Sequence, residues 1–127
     1  HKFAQESSET EKENIQGFKG YARQEYEKLY HQYEELNTTP TASLKQYTDL
    51  ATLASNLMTD VNGNKSPTVE ALVGALFAGA ATRTSNTTEK ANYSNTAKKH
   101  LQSALQRQTN FKNKDITFYT NILNSLP

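Results

Sequence analysis

Apolar side chains recur along this chain at steps of three and four residues. Ile15, Phe18, Ala22, Tyr26, Leu29, Tyr33 and Leu36 form the first series. At 3.6 residues per turn that spacing collects them on one face of an α-helix beginning near Asn14. Leu44, Tyr47, Ala51, Ala54, Met58 and Val61 make a second stripe. Tyr93, Ala97, Leu101, Ala104 and Phe111 make another, and Ile116, Tyr119, Ile122, Leu123 and Leu126 a short last one. Residues 72–81, LVGALFAGAA, differ from all of these because they are apolar or small on every side. A helix with no polar face has none to offer water, so this one belongs inside the fold.

Turn chemistry sets the predicted boundaries. Asn37-Thr38-Thr39-Pro40 closes the first helix, and Thr39 before Pro40 suits the cap and first position of the second. Asn62-Gly63 stops that helix, because both residues tolerate the left-handed conformation. Ser66-Pro67 launches the third, which runs to about Thr82. Asn86 caps the fourth, with Glu89 placed to reach back to a free backbone N–H, and Asp115 caps the last. No stretch alternates with period two, which excludes strands, and the short connections favour antiparallel neighbours. The prediction is an all-α protein: a four-helix bundle with an additional short C-terminal helix. One domain covers residues 14–127, and residues 1–13, which lack periodicity, form a loose arm.

Composition narrows the chemistry. The chain has 127 residues, enough for a real core, and no cysteine, which excludes a disulfide scaffold, a cysteine-zinc site and thiol catalysis. No segment approaches the roughly 18 apolar residues of a membrane span. His1 is not a natural start, so a chain that was processed, trimmed or cut from a tag is expected. The formal net charge is only +1, but its distribution is uneven. Arg83, Lys90, Lys98, Lys99, Arg107, Lys112 and Lys114 face a single acid, Glu89, over the same stretch, while acids crowd into the first 36 residues. A basic helix of this kind can neutralise phosphates without reading bases. It can equally be a solvated face paired with the acids of the first helix.

The small residues of the third helix suggest close packing. Ala71, Ala75 and Gly79 lie at i, i+4 and i+8, with Gly74 and Ala78 as a second pair beside them. They let a neighbouring backbone approach, either within one subunit or from another copy. His31 and His100 read as ordinary surface histidines, and the acid pairs Glu25/Glu27 and Glu34/Glu35 as solvated helix face. Asp60-Val61-Asn62-Gly63-Asn64-Lys65 mimics the opening of a calcium loop, but its glycine is at loop position 4 and Ala71 stands where the closing Glu belongs. No phosphate loop, nucleophile elbow or Ser/His/acid set is visible, so no catalytic residue, metal or cofactor is expected.

Residues 26–43, YEKLYHQYEELNTTPTAS, together with the later Val73-Gly74-Ala75-Leu76, resemble the major coat proteins of rod-shaped and filamentous archaeal viruses of the rudivirus and lipothrixvirus type. The resemblance implies a virion coat subunit, many copies of which wrap linear double-stranded DNA in an A-like form. It places the arm and first helix against the DNA, where Lys19, Arg23 and Lys28 fall. Here the arm carries Glu6, Glu9, Glu11 and Glu13 where that family is basic, which implies that the fourth helix supplies the charge, that a basic arm has been trimmed, or that a partner coat protein contributes.

The expected function is therefore a non-enzymatic coat protein that self-associates, or associates with a related coat protein, and packages DNA without sequence preference. Its DNA contacts would be Lys19, Arg23, Lys28, Arg83, Lys98, Lys99 and Arg107. Ala71, Gly74, Ala75, Ala78 and Gly79 would serve helix packing and assembly. The location would be the virion, where contact with a membrane envelope is compatible, and no small-molecule substrate is expected. The alternative is a secreted or surface helical module of the pilus or conjugation type that binds protein. A third reading is a bundle holding a small molecule between its second and third helices.

Overall fold

A computed structural model describes residues 20–59, 66–107 and 113–126. Over these the chain is all-helical: α1 Gly20–Asn37, α2 Leu44–Met58, α3 Pro67–Ala81, α4 Thr87–Gln106 and α5 Asn113–Ser125. The four-helix bundle with a short C-terminal helix is thus the observed architecture, with no strand among the described residues. The arm, Ile15, Phe18, the calcium-like loop and Phe111 lie outside them.

Three of the helices, α2, α3 and α4, start where a side chain replaces a missing backbone partner. Ser66 Oγ accepts from Val69 N at 3.4 Å, with Pro67 opening α3. Asn86 Oδ1 accepts from Glu89 N at 2.9 Å. Three details depart from the sequence reading. Glu89 does not reach back to the backbone; it accepts from Thr84 Oγ1 at 2.8 Å, which in turn accepts from Asn86 N at 3.1 Å. The second helix is not capped by Thr39. Its cap is Ser43, in a reciprocal box with Gln46 that satisfies two orphan donors at once. Thr39 Oγ1 donates instead to Glu35 O at 2.8 Å, so Thr39 finishes α1. Likewise Asp115 sits within the first turn of α5, which begins at Asn113.

The apolar helix is the axle of the bundle. α3 packs against each of the other four helices, most extensively against α4 and then α2. Val69, Ala71, Leu72, Val73, Leu76 and Ala80 are completely buried. The stripes meet them: Leu29 and Tyr33 from α1, Tyr47, Leu50, Ala51 and Ala54 from α2, Leu101 and Ala104 from α4, and Tyr119 from α5. Water is excluded from this apolar surface, which is the main driving force for the fold.

The glycines of α3 allow close approach within the chain. A β-carbon on Gly74 would stand 2.7 Å from Leu101 Cγ and 3.2 Å from the Ala97 carbonyl oxygen. Gly74 therefore sets how near α4 can come. Gly79 does the same for the ring of Tyr47 on α2. Ala71, Ala75 and Ala78 are also buried in the single chain. The small-residue face is thus occupied by the chain's own helices and by the cavity described below.

Candidate functional site

The cations proposed for DNA contact end in different surroundings. Lys28 is exposed on α1, 3.6 Å from Glu25. Lys99 is exposed and Lys98 half-buried on α4. Arg83 and Arg107 are engaged inside the fold. Arg83 Nη1 donates to Pro40 O at 3.2 Å and Nη2 approaches Thr39 O at 3.5 Å, while its guanidinium lies 5.7 Å from the centre of the Tyr47 ring. It staples the α3–α4 connection to the turn between α1 and α2. Lys19 and the Arg23 side chain lie outside the described residues.

Arg107 belongs to a cluster around a buried carboxylate. Glu70, only 2% exposed, projects from the first turn of α3 toward α4. Arg107 Nη2 and Ser103 Oγ both donate to Oε1, the latter at 3.0 Å. His100 Nδ1 lies 3.0 Å from Oε2. Residues 100, 103 and 107 recur at helical steps, so one face of α4 supplies all three donors. A carboxylate only accepts, which assigns the proton to Nδ1 of the imidazole. His100 is accordingly not a surface histidine: its ring also stacks on Phe77, 6.2 Å between centroids. Ser103 and His100 both bind the same carboxylate, a parallel arrangement; nucleophilic activation needs serine, histidine and acid in series. The cluster therefore ties α4 to α3. Among the described residues no group of three or more His, Asp or Glu side chains could hold a metal ion.

A cavity of about 430 Å³ opens between α1, α2, α3, α4 and α5. This is within the roughly 300–1,000 Å³ of small-molecule sites. Ala75, Ala78 and Gly79 form its floor; the small side chains of Ala75 and Ala78 leave space unfilled, while the Tyr47 ring takes the place beside Gly79. Tyr33 and Tyr47 wall one side, and Ile122 and Leu126 another. Asn37 fixes the tyrosines: its Oδ1 accepts from Tyr47 Oη at 2.9 Å and it also hydrogen-bonds Tyr33. Burial raises the Tyr33 hydroxyl to about 12, so it stays a neutral hydroxyl at neutral pH.

The polar groups of the cavity are donors or amphoteric, and no carboxylate is among its lining residues. Arg83 and the exposed Lys90 are the positively charged residues of its lining. Ser94 is one helical turn beyond Lys90 on α4 and only 2% exposed, and its Oγ has no protein partner. Arg83 Nε is also buried without a protein acceptor. Unpaired buried polar groups are uncommon because each forfeits its hydration, so two on residues that line one cavity are a specific feature.

Sequence reasoning named Arg83, Ala75, Ala78 and Gly79 but for other roles, and did not single out Ser94, Tyr33, Tyr47 or Asn37 as site residues. The i, i+4 spacing of Lys90 and Ser94 was the available signal; the cavity they share is made by helices far apart in the chain. Among the described residues no helix is long and apolar enough to cross a membrane. Compared with protein families, curated proteins and solved structures, the chain matches none.

Proposed function

We propose that this protein is a non-catalytic helical module that binds a small organic molecule in the cavity that α3 lines together with the other four helices. The observation that carries this reading is the cavity itself. Its floor is Ala75, Ala78 and Gly79 and its walls are Tyr33, Tyr47, Ile122 and Leu126, so an apolar body can replace water there. Fixed tyrosines make the space preformed, which lowers the entropic cost of binding.

The coat-subunit reading needs cations standing clear for phosphates and a small-residue face available to a second copy. Arg83 and Arg107 spend hydrogen bonds within the fold, and Gly74 and Gly79 are packed by Leu101 and Tyr47. Lys28 and Lys99 are what supports it.

One pair of measurements separates the two. Saturation-transfer NMR with a mixture of eight-carbon amphiphiles should show binding to the wild type and loss of it in Ala78→Phe, with unchanged helical circular dichroism. Random-sequence duplex DNA should not be retarded in a gel at low salt. Salt-sensitive retardation of the duplex, with no amphiphile signal, overturns the cavity reading in favour of the nucleoprotein one.

A further inference from the structure

Resting on the reading of the cavity as a ligand site, we infer that its occupant is an amphiphilic carboxylate. The acid group lies among Lys90, Ser94 and Arg83 Nε–H, and the aliphatic body lies over Ala75 and Ala78 toward Leu126. Three features of the lining select this class over a neutral molecule or a phosphate.

The first is charge. Two cations line the cavity and no carboxylate does, so a neutral ligand would leave their positive potential unanswered. The second is the state of the donors. Ser94 Oγ and Arg83 Nε are buried and have no protein partner. A carboxylate has about four acceptor positions and no donor, so it can satisfy both and still accept from the Lys90 ammonium. The third is the number of donors. Arg83 Nη1 and Nη2 each give one N–H to the carbonyl oxygens of Pro40 and Thr39, so fewer of its five donors are left for a ligand than a free guanidinium offers a phosphate. What remains suits a singly charged head. The apolar lining, Ala75, Ala78, Ile122 and Leu126, then accounts for an attached hydrocarbon body, which acetate lacks.

The experiment is isothermal titration of the full chain with octanoate, octanamide, octyl phosphate and acetate at low ionic strength. Octanoate should bind at least tenfold more tightly than octanamide or acetate, and more tightly than octyl phosphate. Lys90→Gln should weaken octanoate about tenfold and leave octanamide unchanged. Ser94→Ala should weaken octanoate severalfold while leaving the unfolding midpoint of the free protein unchanged or raised, because it deletes an unpaired buried hydroxyl. Octanamide binding as tightly as octanoate would sink the charge argument while leaving the cavity as an apolar ligand site. Tighter binding of octyl phosphate would reassign the head group. If none of the four binds, both this inference and the ligand-site reading fall.

Discussion

Gly79 on α3 lies flat against Tyr47 on α2: a β-carbon there would stand 2.3 Å from the tyrosine's Cε1 and 2.6 Å from Cδ1. The ring cannot step aside freely. It is 2% exposed, its hydroxyl is bonded to Asn37, and Arg83 covers one face. This contact joins the packing of the bundle to the wall of the cavity.

Gly79→Ala is therefore expected to destabilise the protein by about 1–2 kcal/mol. Overpacking costs roughly 1–3 kcal/mol, and alanine's better helix propensity returns at most about 1. In a Tyr47→Leu background, where the ring is gone, the same substitution should be neutral or stabilising. Urea denaturation of the four-member cycle checks this; additive effects would mean the ring does not constrain Gly79.

The Glu70 cluster makes a second, asymmetric prediction. Arg107→Ala leaves a buried carboxylate with only His100 and Ser103, and should cost about 1–3 kcal/mol, less than a fully buried pair because the arginine is 38% exposed. Glu70→Leu removes the buried charge itself and leaves donors that water can reach, so it should cost less than Arg107→Ala. The reverse order in chemical denaturation would show that the carboxylate, more than its pairing, holds α3 to α4.

Alkaline stability follows from the tyrosines where α1 meets α5. Burial raises the hydroxyls of Tyr26, Tyr30 and Tyr119, and takes Tyr33 to about 12. The unfolded value is about 10. The folded state thus holds protons that the unfolded chain releases, and stability falls where it binds more of them. Stability should be fully present below about pH 10 and decline as pH rises through 12, by about 2 kcal/mol or more from Tyr33 alone. The phenolate absorbance of these four tyrosines should appear late and with the loss of helical circular dichroism. Smooth titration of all tyrosines near pH 10 in the folded protein would contradict this.

Local patterns in the chain were sufficient for its helices and their apolar faces. Periodicity is a property of one segment, and Ser66-Pro67 and Asn86 act on backbone groups within a turn of themselves. Where two local solutions competed, at Thr39-Pro40 and Ser43, the outcome depended on Gln46 completing the box and on Thr39 turning back to Glu35, so the helix start was displaced. The uniform apolarity of LVGALFAGAA was enough to place α3 inside, because burial follows from having no polar face.

The fate of the charges was a matter for the tertiary structure alone. Glu70 and Arg107 are 37 positions apart, and Arg83 and Pro40 are 43. No local pattern carries such pairings, since they depend on how deeply two helices interlock at Gly74 and how the connecting turns meet. Those same depths left Ser94 buried and a space over Ala75 and Ala78. A helix can be recognised from the order of its own residues; a cavity exists only as the difference between several surfaces once they have packed.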